Sequence, residues 1–317
     1  MSRSASRARI DQDRPSLYQE ITHKIIAELE AGCVPWVQPW GTAAAKAALA
    51  MPRNAATRRR YSGVNVLILW SAAIEEGFSG QGWLTFHQAL GLGGNVRKGE
   101  CGTTVVYADR FTPDKEREHA ARDGGAPGSI PFLKRFAVFN RDQCDGLDDD
   151  DTPSAPRGAD VVLPEVEALI AASEADFRIG GDKAFYLPGH DRIHVPHPSQ
   201  YHDPVNWHRT ALHELSHWTG HASRLARGLS TDFGSSAYAR EELVAEISAA
   251  FCCATLGIIP TVRHADYIGN WLEVLRGDDH AIVRAASAAS KAADFILAFR
   301  LEAESTEPAA ATDRKAA

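Results

Sequence analysis

Thr210-Ala211-Leu212-His213-Glu214-Leu215-Ser216-His217-Trp218 carries two histidines four residues apart, with a glutamate directly after the first. Ala211, Leu215 and Trp218 recur at helical spacing around them, so the segment reads as one buried helix. Four residues make about one helical turn, so both imidazoles project from one face toward a single ion. Glu214 lies beside the first of them, placed to take a proton from a metal-bound water as general base.

A catalytic zinc needs a third protein ligand and one open position. Two candidates follow downstream. His221 gives H-E-x-x-H-x-x-x-H, but Gly220 marks a helix stop before it, and the spacing H-x-x-G-x-x-H is absent. The second candidate is the helical segment Tyr238-Ala-Arg-Glu-Glu-Leu-Val-Ala-Glu-Ile247, in which Glu242 and Glu246 share a face. A gluzincin-like site takes a carboxylate from a second helix, with an acidic residue one turn later orienting a ligand histidine. Glu242 is therefore assigned as third ligand and Glu246 as its supporting carboxylate, with Glu241 and Glu246 as alternative ligands. Tyr238 opens this helix and is a candidate for polarising a substrate carbonyl. The expected cofactor is one Zn2+, or another divalent metal, per chain. His190, His194, His197, His202 and His208 are expected to line the cleft or the surface.

Around this centre, helices are expected at Val161–Ala172 and at about 203–220, 238–256, 264–276 and 279–301. Ala184–Leu187 and Arg192–Val195 flank Pro188-Gly189-His190-Asp191, a hairpin signal. Two strands ahead of a run of helices make this half α+β. Upstream, DGLDDDDTPSAPRGAD (145–160) combines like charges with proline and reads as a solvated connector. The expected organisation is a domain over 1–147, an acidic linker over 148–158, a second domain over 159–301 and a disordered tail over 302–317.

The front half is also α+β. Leu17, Ile21, Ile25 and Leu29 form an amphipathic stripe ending near Gly32; SGVNVLILWSAAIEEG reads as a buried helix opened by Ser62 and closed by Gly77; WLTFHQALGLGG reads as a short helix. Thr103–Tyr107 and Phe132–Phe139 are β-rich and pair into a small antiparallel sheet across the polar loop 112–129. Single-stranded nucleic acid is held by aromatic faces and basic groups. This half supplies Trp36, Trp40, Tyr61, Trp70 and Trp83 with Arg53, Arg58, Arg59, Arg60, Arg97 and Lys98. Trp70 belongs to an apolar helix and reads as core, whereas Trp36 and Trp40 flank prolines without apolar periodicity and read as exposed.

Over all 317 residues, 44% are hydrophobic and 24% charged, which supports a buried core and excludes disorder throughout. The net charge of −7 is unevenly spread: residues 1–147 hold 19 Lys+Arg against 15 Asp+Glu, and the rest hold 15 against 26. Such a difference points to two jobs in one chain. No apolar run is long enough for a membrane span, and the N-terminus lacks the apolar region of a secretory signal. The five cysteines are odd in number and form no C-x-x-C pair. The reading is a cytoplasmic protein without disulfides and without a membrane partner.

Longer motifs carry a family resemblance. Tyr61-Ser-Gly-Val-Asn65-Val-Leu-Ile-Leu-Trp70, Gly82-Trp83-Leu-Thr-Phe-His-Gln88-Ala and Gly94-Asn-Val-Arg97-Lys98-Gly99-Glu100-Cys-Gly102-Thr resemble the N-terminal domain of ArdC-type antirestriction proteins, with Val138–Leu147 as its closing segment. Phe185-Tyr-Leu-Pro, Asp191-Arg-Ile-His-Val-Pro196, His213–Leu225 and Tyr238–Glu246 resemble that family's zincin-like metallopeptidase domain. The resemblance runs in matching order over about 15–300. It implies a front domain that binds single-stranded DNA, a metallopeptidase-like back domain, and protection of incoming mobile-element DNA, such as a conjugating plasmid, from host restriction. Carried over by motif, Tyr61, Asn65, Trp83, Thr85, Gln88, Arg97 and Lys98 join Trp36 and Trp40 as DNA-site candidates, and His213, Glu214, His217 and Glu242 form the metal site.

The chemistry expected is peptide hydrolysis on a host protein or peptide. The alternative is a protein that only shields single-stranded DNA, its metal site structural; an intact Glu214 speaks against that, since a structural ion needs no base. A nuclease is a third reading, but one H-E-x-x-H site lacks the acidic cluster of a two-metal nuclease.

Overall fold

The computed structural model describes residues 15–37, 50–147, 163–259 and 267–306, apart from positions 114, 115, 117, 118, 121, 123, 125–127, 129, 231 and 233. The linker expected over 148–158 lies outside the described residues.

The front half opens with α1 (Leu17–Glu30). Ser16 caps it in a reciprocal pair with Gln19, and Ile21, Ile25 and Leu29 form its buried stripe. Four short strands follow: β1 (Arg53–Asn54), β2 (Gly82–Leu84), β4 (Thr103–Phe111) and β5 (Ile130–Asn140), in the sheet order β1-β2-β5-β4. The β4–β5 ribbon pairs Thr103 with Val138 and Tyr107 with Lys134, antiparallel across the polar loop as expected. A separate two-stranded piece joins β3 (Asn95–Val96) to β6 (Cys144–Asp145).

Two front-half expectations are corrected. Helix α2 (Val64–Glu76) has Gly63, not Ser62, at its N-cap, with no side-chain cap. The Gly63 N–H itself donates to Ser290 Oγ at 2.8 Å, which ties the start of the helix to the back half. The C-terminal stop at Gly77 is as expected, in the left-handed conformation with φ +70° that glycine adopts without strain. The segment expected as a helix from Trp83 instead begins as strand β2, because Trp83 and Leu84 pair with Asn140 and Phe139. Only then does α3 (Phe86–Gly91) start, capped reciprocally by Thr85 and Gln88.

In the back half, α4 (Pro164–Ala172) precedes a three-stranded sheet of order β7-β9-β8, formed by Asp176–Ile179, Phe185–Leu187 and Arg192–Val195. The expected hairpin is present as the antiparallel β8–β9 pair. Strand β7, parallel to β9, is an addition to the expected pair: Asp176-Phe-Arg-Ile179 alternates polar and apolar, but over only four residues. Helices α5 (Pro204–Trp218), α6 (Ser236–Leu256), α7 (Ile268–Gly277) and α8 (Ala281–Thr306) complete the chain. Helix α8 runs to Thr306, into the expected tail; positions 307–317 lie outside the described residues. No helix among the described residues is long and apolar enough to cross a membrane.

One apolar cluster joins the halves. It includes Ile21, Ile25 and Leu29 of α1, Val66 and Trp70 of α2, and Phe251, Trp271, Ile282 and Ile296 from the back half. Trp36 meets Trp271 edge-on at 5.6 Å between ring centroids, and Trp70 meets Phe251 at 5.5 Å. Edge-to-face pairs of this kind add to simple area burial.

Candidate functional site

Helices α5 and α6 pack side by side, tied at their contact by Ser216 Oγ, 2.9 Å from Ser248 Oγ. Pro204 opens α5 at its first turn, where a missing N–H costs nothing. Ser235 caps α6 by accepting from the Tyr238 N–H. Both helices thus arrive with a fixed rotation. The face α5 presents carries His213 and His217; the face of α6 opposite carries Glu242 and Glu246.

The His213 and His217 Nε2 atoms lie 3.1 Å apart. Glu242 Oε2 is 3.6 Å from His213 Nε2, and Glu242 Oε1 is 3.5 Å from His217 Nε2. A zinc with ligand bonds of about 2.0–2.1 Å in tetrahedral geometry separates its ligand atoms by about 3.3 Å. The triangle of two nitrogens and a carboxylate has that size, and its atoms all lie within 4.8 Å of one another. The donor set, two imidazoles and one carboxylate, suits a divalent cation. The residues present therefore fit the implied metal.

The supporting contacts divide the glutamates. Glu246 Oε1 lies 3.7 Å from His213 Nδ1, and Glu241 Oε1 lies 3.3 Å from His217 Nδ1. Both named alternatives to Glu242 thus face the outer nitrogen of a ring, while Glu242 faces the inner ones. His221 is elsewhere: α5 ends at Trp218, and the His221 ring bonds Ser223 Oγ at 2.8 Å.

Electrostatics sharpen this arrangement. Burial by itself would raise the Glu242 pKa, but the two facing imidazoles outweigh it and hold the carboxyl well below the usual range. Burial would favour a neutral His217, yet Glu241 and Glu242 outweigh it and raise that pKa well above normal.

The centre opens into a groove of about 370 Å³ walled by Phe185, Tyr186 and Leu187 of β8, by Glu214, and by Tyr238 and Tyr267. The Tyr238 and Tyr267 hydroxyls are 3.4 Å apart. Burial, then Tyr267 and Glu242, push the Tyr238 pKa up, so it stays a proton donor. Tyr267 and the apolar wall Phe185–Leu187 carry no motif that spacing alone reveals. Of the other histidines, His208 is buried and accepts from the Leu163 N–H, His194 stacks on Phe185 at 4.9 Å, and His190, His197 and His202 are exposed.

The front-half candidates are not brought together on one exposed surface. Trp36 and Trp83 are 0% exposed, a correction to the expectation of stacking faces. Trp36 fills the shared core and Trp83 packs against Leu69, Phe78 and Val138. Trp40 lies outside the described residues. The Asn65 amide is used by strand β4, donating to the Val106 carbonyl at 2.7 Å and accepting from its N–H at 2.8 Å. Thr85 and Gln88 form the α3 cap, and Asn54 Nδ2 donates to Gln88 Oε1. Tyr61 is half-buried against both core clusters, and burial pushes its pKa up. Arg97 and Lys98 are exposed; Arg97 pairs with Glu100 and Asp145. Among the described residues, the large exposed aromatic rings of the front half are others: Phe86 at 47%, Tyr107 at 60% and Phe136 at 46%. Neither Tyr107 nor Phe136 is among the residues that the sequence singles out.

Known proteins match both halves. Residues 15–139 match the family described as the N-terminal domain of anti-restriction factor ArdC, and residues 164–288 match a zincin-like metallopeptidase family. The uncharacterized protein y4eC of Sinorhizobium fredii (strain NBRC 101917 / NGR234) is 37% identical over 304 residues, spanning 94% of this chain and 97% of that protein. DNA primase TraC of Escherichia coli is 37% identical over 297 residues, covering 89% of this chain but 27% of the primase. The chain thus spans about a quarter of that TraC. Crystal structures of antirestriction ArdC from plasmid R388, metal-free and Mn(II)-bound, align with TM-scores of 0.77 and 0.74. Identities are 39% and 38%, over 90% of this chain and 98% of each of those.

Proposed function

Because the chain belongs to the ArdC-type antirestriction family, we propose that it protects incoming mobile-element DNA by joining a single-stranded-DNA-binding front half to a zinc-dependent peptidase in the back half. The observation that carries the peptidase reading is the triangle of His213 Nε2, His217 Nε2 and Glu242 beside Glu214, open to one groove.

His213, His217 and Glu242 would hold the cation. When bound, it supplies Lewis-acid polarisation of a carbonyl and of water. The remaining steps belong to this chain. Glu214 takes the proton from the attacking water and returns it to the leaving amine. Tyr238 and Tyr267 present hydroxyl donors to the carbonyl oxygen as negative charge develops on it. Among the described residues, strand β8 is hydrogen-bonded on one side only, to β9, so an extended peptide can lie along its other edge with Phe185 and Leu187 contacting apolar side chains.

For the front half, single-stranded DNA would stack on the exposed rings of Tyr107 and Phe136. These are diagonal neighbours on the β4–β5 ribbon, with Lys134 directly across from Tyr107. Arg97 and Lys98 add positive charge. Replacing both Tyr107 and Phe136 by alanine in the full chain should weaken single-stranded-DNA binding by about 1–3 kcal/mol per lost stack. Fluorescence anisotropy checks this, and unchanged affinity removes the ribbon from the interface. A DNA-transfer assay into a restricting host then tests the proposed role. The double variant should lose protection, whereas full protection without DNA binding would reject shielding by the front half.

A further inference from the structure

Arg227 follows α5 in the loop toward α6 and turns its guanidinium back beneath the metal centre. Its Nε donates to Glu241 Oε2 at 3.0 Å and its Nη2 to Glu241 Oε1 at 2.7 Å, a fork over both carboxylate oxygens. The same group donates to Thr219 Oγ1 at 2.7 Å and to the Ser216 carbonyl at 2.6 Å, at the end of the histidine-bearing helix. Arg227 and Glu241 are nearly buried, at 10% and 11% side-chain exposure. Room for this approach depends on Gly220: a Cβ there would meet Arg227 Nη2 at 2.8 Å and the His217 carbonyl at 3.0 Å.

Glu241 Oε1, the oxygen shared with Arg227, also faces His217 Nδ1 at 3.3 Å. A histidine offers one ring nitrogen to a cation when the other carries a proton held by an acceptor. Glu241 also neighbours Glu242 in sequence and lines the same groove. Left mobile, it would compete as a ligand or abandon the ring. The fork from Arg227 fixes both its oxygens.

We propose that Arg227 is a positioning residue for the metal centre. Through Glu241 it locks His217 with Nε2 turned to the cation, and it keeps Glu241 from becoming a ligand itself. The proposal rests on the reading of His213, His217 and Glu242 as the cation-holding set.

The test is calorimetric titration of Zn2+ into the full metal-free chain: wild type, Arg227→Ala, Arg227→Lys, Glu241→Gln, Gly220→Ala and the Arg227→Ala/Glu241→Gln pair, each with its own thermal unfolding curve. Loss of an outer-shell partner should weaken zinc affinity by about 10–100-fold in variants that remain folded at the titration temperature. Lysine, a single point charge without a fork, should recover part of the loss. The pair should lose little more than either single variant, because both act through one chain of contacts. A folded Arg227→Ala protein binding zinc within about twofold of wild type overturns the proposal alone. Additive losses in the pair also overturn it. If Arg227→Ala does not fold, Gly220→Ala and Arg227→Lys decide: unchanged affinity in both overturns the proposal. A wild-type chain that takes up no zinc rejects the cation site itself, and the proposal with it.

Discussion

Glu214→Gln should reduce any peptide hydrolysis by about 10²–10⁴-fold, the usual contribution of a positioned general base, while metal uptake and DNA binding stay at wild-type levels. Glutamine keeps the shape of a side chain that is almost fully buried in the groove wall. It cannot accept a proton from water. Glu214 stands outside the triangle of His213, His217 and Glu242, so the proposed cation would keep its three protein ligands. Cleavage of a peptide library by metal-loaded wild type and variant, read by mass spectrometry, checks this. Equal cleavage by the two proteins removes Glu214 from the reaction.

The second large effect is on folding. Trp271→Ala should cost about 3–5 kcal/mol of unfolding free energy, the range for removing a fully buried large aromatic. Trp36→Ala should act similarly. The two rings pack edge-on, so the double variant should lose less than the sum of the single losses. Urea unfolding followed by circular dichroism gives these numbers. A Trp36→Ala protein of wild-type stability but weakened DNA binding would mean that this ring serves the nucleic acid after all.

That contrast shows where the amino-acid sequence speaks and where it falls silent. His213, Glu214 and His217 are legible because one helix sets their spacing, and helical geometry is local. Glu242 is legible only as one of a pair, since the i, i+4 relation to Glu246 fixes a shared face on a second helix. The division of labour among Glu241, Glu242 and Glu246 needs the docking of α6 on α5, which no local pattern encodes. Arg227 lies in a loop without periodicity, and only the folded chain brings it to Glu241.

In the front half, the resemblance finds the right segments and the fold gives several of their residues structural work. Asn65 pins strand β4, Thr85 and Gln88 cap α3, and Trp83 fills a core. Motifs record whatever the fold needs as well as what the ligand touches. Trp36, between apolar-poor and proline-rich neighbours, reads as exposed, yet Trp271 from the far half covers it. The helix expected from Trp83 fails for a related reason: β-pairing to Asn140 takes the first residues before Thr85 can cap. Exposure of Tyr107 and Phe136 is likewise a tertiary fact, because strand alternation separates two faces without saying which of them is covered.

Metal content measured on the purified full chain, beside a His213→Ala/His217→Ala variant, tests the central claim most directly. After loading with Zn2+ and removal of excess, elemental analysis should find about one ion per chain in wild type, with its unfolding temperature raised by the bound ion. The double variant should hold none and gain no stability from added zinc. The same stoichiometry in both proteins would contradict the account, because the cation would then sit somewhere other than between these two histidines and Glu242.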